Sequence, residues 1–169
     1  MLALLLALVW TLGCGGDDGG PDYMDPPDHH MLGPDDCDPR IPELTEGMMA
    51  SGQQGNIEAE LITADKIPLG WYHNDWIIKF TDKASGEPLD DLEFGEVTPW
   101  MPAHNHNGDN QFPDIAKVEG APGEWSFEDI NITMAGGWEF QINIDDSAAG
   151  PDYVVFEVCN SQPEPDAGE

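Results

Sequence analysis

The feature that most constrains the fold is an alternation of apolar and polar residues with period two, repeated between residues 56 and 159. Successive side chains of a β-strand point to opposite faces, so this alternation is typical of half-buried antiparallel strands. Gly, Pro, Asn and Asp bound the runs, and no segment keeps a helical period. About seven short strands predict an all-β, immunoglobulin-like antiparallel β-sandwich. The predicted strands are residues 56–63, 76–80, 92–97, 115–118, 125–132, 138–144 and 153–159.

The first twelve residues form an apolar run, MLALLLALVWTL, without a charged side chain. A membrane-spanning helix needs about 20 apolar residues, so this shorter run suits the hydrophobic region of a secretory signal. Gly13-Cys14 follows directly and resembles the lipobox of bacterial lipoproteins, although Thr11 stands where leucine is usual. We expect a signal peptide at residues 1–13, lipidation of Cys14, and a membrane-anchored envelope protein facing the periplasm or the cell surface. The alternative is an ordinary cleaved signal with an incidental cysteine.

The three cysteines, Cys14, Cys37 and Cys159, fit this interpretation. If Cys14 carries lipid, an even pair remains in an oxidising compartment, where disulfides form and persist. The sequence therefore predicts a bridge between Cys37 at the start of the folded part and Cys159 in its last strand. Closing a loop of that length contributes up to about 4–5 kcal/mol in the chain-entropy model.

Composition distinguishes a folded part of the chain from its polar ends. The 34 acidic and 5 basic residues give a net charge of −29, which excludes nucleic acid as a partner because its phosphates require clustered Lys and Arg. Residues 14–40 alternate Asp with Gly and Pro, and such a segment buries too little apolar surface to fold. We predict a disordered acidic tether at residues 14–40, one domain at 41–160 and a disordered tail at 161–169.

A cluster of metal-binding side chains interrupts the strand pattern at residues 100–106, which read Trp-Met-Pro-Ala-His-Asn-His. Thioethers select Cu(I) and imidazole serves copper in either oxidation state, so Met101, His104 and His106 favour copper. In an extended stretch the two imidazoles would point to the same face and could share one ion. Met101 would need the loop to turn back. The competing interpretation is a structural loop whose imidazoles hydrogen-bond backbone carbonyls.

Other candidate ligands have more ordinary explanations. Met134 is a candidate fourth ligand if the end of its strand abuts the loop, although methionine more commonly fills a core. His73 is better explained as a hydrogen-bonded imidazole at the start of a strand. His29 and His30 lie in the tether, where a disordered segment gives little preorganisation for a metal.

The sequence offers little support for catalysis, and we expect a protein that is not an enzyme. It has neither a Gly-x-Ser-x-Gly nucleophile elbow nor a phosphate-cradling glycine loop, and no cysteine is left over as a nucleophile. Asp145, Asp146 and Asp152 could take Ca²⁺, but their spacing lacks the EF-hand pattern. A solvated acidic turn is predicted there instead.

A fixed order of motifs extends from about residue 57 to residue 159. It comprises Gly70-Trp71, Asn74-Asp75-Trp76, residues 81–89 (TDKASGEPL), residues 101–106 (MPAHNH), and residues 120–124, 127–134 and 137–140. This order resembles the YtkA-like domain family of bacterial envelope proteins, related in pattern to FixH, and MPAHNH looks like that family's MPxHxH hallmark. The resemblance implies a small immunoglobulin-like sandwich. Its link to envelope copper handling rests partly on analogy with other periplasmic copper-binding sandwiches.

The leading hypothesis is a lipid-anchored envelope protein that binds copper through a Met/His loop, for buffering or transfer. Its partners would be the membrane, reached through the anchor, and copper or another envelope protein. Imidazole must be neutral to bind metal, so affinity should fall below about pH 6.5. One alternative is a metal-free interaction or structural module of the cell surface, which predicts a contiguous apolar patch. Another is an accessory factor for oxidase assembly, suggested by the FixH-like pattern.

Overall fold

The computed structural model describes residues 37–108 and 113–163. Those ranges form nine strands, which include all seven predicted ones with ends shifted by at most four residues. The two additional strands, β1 and β5, are too short to show an alternation in sequence. The strands are β1 Met49–Ser51, β2 Ile57–Ala64, β3 Asn74–Asp82, β4 Glu93–Met101, β5 His106–Asn107, β6 Asp114–Lys117, β7 Glu124–Ile130, β8 Gly136–Asp146 and β9 Asp152–Asn160.

The strands form two sheets in which every pairing is antiparallel, with the orders β1-β2-β3-β7-β6 and β5-β4-β8-β9. The predicted all-β antiparallel sandwich is therefore confirmed, with five strands in one sheet and four in the other. Over the described ranges there is no helix, and hence none of the length and apolarity that a membrane span requires.

Side chains from both sheets meet in one hydrophobic core. Trp76 and Phe80 of β3 are at most 1% exposed. Trp76 packs edge-to-face against Phe140 of β8, with ring centroids 4.9 Å apart. Gln141, the next residue on β8, is on the opposite face and stays partly exposed. The alternation seen in the sequence thus assigns one face of each sheet to the core and the other to solvent.

The first described residues are tied to β9. Cys37 and Cys159 form the predicted disulfide, and their Cα atoms are 5.7 Å apart, inside the limit of about 7 Å for a bridge. The Cys159 N–H also donates to the Pro42 carbonyl at 2.9 Å. The bridge joins residues 122 positions apart and confirms the pairing predicted from the cysteine count.

Asp152 corrects the prediction of a solvated acidic turn. The residue is 1% exposed, whereas Asp145 and Asp146 are exposed as expected. Burial acts to raise the pKa of Asp152, but hydrogen bonds from backbone amides outweigh it, and the pKa lies below its ordinary value. Its carboxylate accepts hydrogen bonds of 2.8–2.9 Å from the backbone N–H groups of Gln54, Asn56, Ile57 and Tyr153.

Candidate metal site

The Met/His cluster forms a tight hairpin at one end of the four-stranded sheet. β4 ends at Met101 and β5 begins at His106, and these two residues pair directly across the strands. The Asn105 N–H donates to the Met101 carbonyl at 2.9 Å and closes the turn. Asn105 has a φ of 54°, in the left-handed region that asparagine tolerates better than most residues. The chain therefore turns back, as a ligand role for Met101 requires.

The two imidazoles come together across this turn. His104 lies in the turn and His106 in β5, so they do not share the extended stretch considered from the sequence. Their ring centroids are nevertheless 5.7 Å apart, with planes at 72°, and both side chains are partly exposed. With metal–nitrogen bonds of about 2.0 Å, two imidazoles on one ion have centroids about 5–6 Å apart. The observed separation fits a shared ion.

Hydrogen bonding sets the tautomer of His106. Its Nδ1 lies 2.7 Å from the carbonyl oxygen of Asn107. A carbonyl can only accept, so Nδ1 carries the proton and, in the neutral ring, Nε2 holds the lone pair. In a metal-binding imidazole, the N–H of the second ring nitrogen commonly donates a hydrogen bond to a carbonyl in this way, and that bond fixes the ring orientation. The His106 ring also contacts the Trp138 ring edge-to-face, with centroids 6.1 Å apart.

Met101 lies in the hydrophobic core and is 0% exposed. Side chains paired directly across antiparallel strands share a face, so Met101 and His106 both point to the inner side of the sheet. On the other side of β4, Trp100 pairs with Glu139, which places buried Trp138 beside Met101. The thioether is therefore beneath the hairpin, next to the imidazole of His106, and is shielded from solvent.

Met134 lies in the connection between β7 and β8 and not at the end of a strand. It is partly buried against the core, and its carbonyl accepts the Trp138 Nε1–H at 3.1 Å. The same connection touches the hairpin, since a Cβ on Gly108 would lie 2.1 Å from the Asn131 carbonyl oxygen. Met134 thus shares one neighbour, the Trp138 ring, with His106. The sequence does not indicate the contact between Trp138 and His106, because that contact depends on strand pairing.

The remaining candidates lie elsewhere. His73 precedes β3 and contacts the carboxylate of Asp129, as expected of a hydrogen-bonded imidazole at a strand start. Cys14, the predicted signal peptide at residues 1–13, His29 and His30 lie outside the described residues. Within residues 37–108 and 113–163, no three His, Cys, Asp or Glu side chains gather into a metal-binding group.

Fold and hairpin together define an all-β sandwich domain with paired histidines at one end of its smaller sheet. The YtkA-like family matches residues 52–143, more than half of the chain, and the protein belongs to that family. The matched range contains Met101, His104, His106 and Met134. Neither the curated proteins nor the solved structures contain a match to the chain.

Proposed function

We propose that this YtkA-like protein is a lipid-anchored component of the bacterial envelope that binds copper through the hairpin, for buffering or transfer. The observation that carries the proposal is the pair of imidazoles across the turn, whose ring centroids lie 5.7 Å apart, with Met101 paired opposite His106. Because this role is binding and not chemistry, we infer that the protein is not an enzyme.

The ligand chemistry supports copper over other first-row metals. Two imidazoles and one or two thioethers form a soft to borderline set, which suits Cu(I) and tolerates Cu(II). The imidazoles are partly exposed whereas Met101 is buried. An ion would therefore enter from the imidazole side and reach sulfur only beneath the turn.

The decisive experiment is a titration of the mature protein with Cu(I) in competition with a chromogenic chelator, and separately with Cu(II). The His104→Ala/His106→Ala double variant should lose more than about 100-fold in affinity, because losing even a hydrogen-bonding partner of a metal ligand costs about 10–100-fold. His73→Ala is the matched control, because His73 is an exposed imidazole that contacts the carboxylate of Asp129, and it should bind like the parent. A double variant that binds as tightly as the parent would refute the hairpin site.

The contribution of sulfur needs its own variant. Met134→Leu preserves apolar volume and removes the thioether, so it should weaken Cu(I) more than Cu(II) if the sulfur is a ligand. If Met134→Leu binds Cu(I) and Cu(II) as tightly as the parent does, Met134 has a packing role only. Met101→Leu makes the same comparison at a residue that is wholly buried.

The anchor is tested independently of copper. The mature protein should begin at Cys14, carry lipid and partition with membranes, and stable anchoring should need more than one acyl chain. Intact-mass measurement of the membrane-extracted protein checks this. An unmodified Cys14, or cleavage at another position, would contradict the lipoprotein assignment.

The metal-free interaction module has weaker support than the copper hypothesis. It requires a contiguous apolar patch. In the described part of the chain, the large apolar side chains with high exposure are Met49, Ile67 and Tyr72, and only the last two share a loop. Accessory action in oxidase assembly has no structural observation in its favour.

A further inference from the structure

The outer face of the four-stranded sheet carries a groove that is separate from the hairpin interior. Its volume is about 490 Å³, and Trp100 and Tyr153 are among the residues that line it. A second depression of about 330 Å³ continues past Tyr153 towards Met48 and Glu157. Because Tyr153 lines both depressions, they adjoin at that residue, and the two together form a trough on the sheet. We call this trough the outer groove.

Strand alternation explains why polar and aromatic side chains line the groove. On β4 the core takes Val97 and Met101, so Glu96 and Trp100 project to the other face. β8 and β9 alternate in the same way. The outer groove therefore contains two aromatic rings among carboxylates and amides, the composition of a ligand site rather than of an ordinary solvated sheet.

Every charged side chain that lines the groove is a carboxylate. All five basic residues of the chain are absent from its four strands: they are Arg40, Lys66, Lys79, Lys83 and Lys117. Arg40 comes near Glu157 but is paired with Asp38. Glu139 and Glu157 lie directly opposite one another on β8 and β9, an arrangement of like charges that destabilises a sheet when nothing neutralises it.

The field of these carboxylates reaches the aromatic lining. The pKa of Tyr153 is raised, first by burial and then by the charges of Glu139 and Glu96. Both carboxylates therefore act on the Tyr153 hydroxyl from within the trough. A cation placed there would meet two carboxylates and the faces of two electron-rich rings.

Hydrogen bonding within the groove leaves several acceptors for a ligand. The Gln141 side-chain amide donates to Glu139 at 2.6 Å, and the Asn143 amide donates to Asp145 at 2.6 Å. Each contact uses one of the two amide N–H groups and leaves the amide oxygen as an acceptor. An ammonium group has three donors and no acceptor, and so matches the carboxylates and amide oxygens. A neutral sugar could pair with the remaining donors as well, but only a cation is attracted by the charges of Glu96 and Glu139.

We propose that the outer groove binds a linear aliphatic polyamine. Its ammonium groups contact Glu96 and Glu139, and its methylene chain lies along the trough between Trp100 and Tyr153. Glu96 lines one depression and Glu139 the other, so a linear ligand can reach both carboxylates, whereas a compact one occupies a single depression. Because the groove is open to solvent, binding should weaken as ionic strength rises.

The test is isothermal titration of the mature protein with spermidine at low and physiological salt. Glu96→Gln/Glu139→Gln should weaken binding at least about tenfold, the effect of losing about 1.4 kcal/mol of favourable interaction. The matched control is Glu87→Gln/Glu119→Gln, which removes the same charge from two exposed residues outside the four-stranded sheet and should change binding less than about twofold. Trp100→Leu keeps an apolar side chain and should weaken binding by removing the ring face.

Three results would overturn the proposal. Equal weakening by the two double variants would show only the general attraction of an acidic protein for cations. The proposal would also be overturned if the parent protein, shown by circular dichroism to be folded, did not bind spermidine. Preference for a neutral oligosaccharide such as maltotriose, unaffected by salt, would assign the groove to sugars.

Discussion

Asp152→Asn is the substitution whose effect on stability can be worked out most directly. The Oδ1 atom of Asp152 accepts from Gln54 and Tyr153, and Oδ2 accepts from Asn56 and Ile57. Asparagine keeps one oxygen and replaces the other with an NH₂ group. That group cannot accept, so two backbone N–H groups lose their partner.

The size of the effect follows from burial. Each buried donor left without a partner costs about 1–3 kcal/mol, so two of them lower the free energy of unfolding by about 2–4 kcal/mol after partial relaxation. Water has little room to replace the lost acceptor, because a Cβ on Gly52 would already lie 2.0 Å from Oδ2. A loss of this size is a large fraction of the stability of a domain of this length.

The pH dependence has a definite sign. The folded-state pKa of Asp152 is lowered, so the carboxylate contributes its full stability above the ordinary unfolded value of about 3.9 and loses it as pH falls through the folded value. The difference between parent and variant should therefore be constant from about pH 8 to pH 5 and shrink below about pH 4.

Urea unfolding of both proteins, with the disulfide intact and followed by tryptophan fluorescence, measures this difference. A destabilisation below about 0.5 kcal/mol at neutral pH would show that the buried amides find other partners. A difference that stays unchanged to about pH 3 would show that the charge of Asp152 does not contribute.

Substitutions at two further residues, Asn105 and Cys37, test the hairpin and the disulfide. Asn105→Val places a β-branched residue at a φ of 54° and should cost about 1–2 kcal/mol while weakening copper, whereas Asn105→Gly should leave both the melting temperature and the copper titration near parental values. Cys37→Ser should lower the free energy of unfolding by about 2–5 kcal/mol, and reductant should lower the melting temperature of the parent but not of the variant.

The sequence by itself determined seven of the strands and the disulfide. Alternation is a local property of consecutive residues, so residues 138–144 identify the centre of β8 whichever strands pair with it. The Cys37–Cys159 bridge follows from parity once Cys14 is set aside. The copper proposal also started from residue type alone, in Met101, His104 and His106.

The tertiary structure decided how those residues meet. His104 and His106 do not share a strand, and the β4–β5 turn brings them together. This reversal depends on the left-handed conformation of Asn105 and on the pairing of β5 with β4. Pairing with β8 then brings Trp138 to His106. The burial of Asp152 likewise depends on a turn about 95 residues earlier in the chain. Such contacts join residues far apart in sequence, and no local period records them.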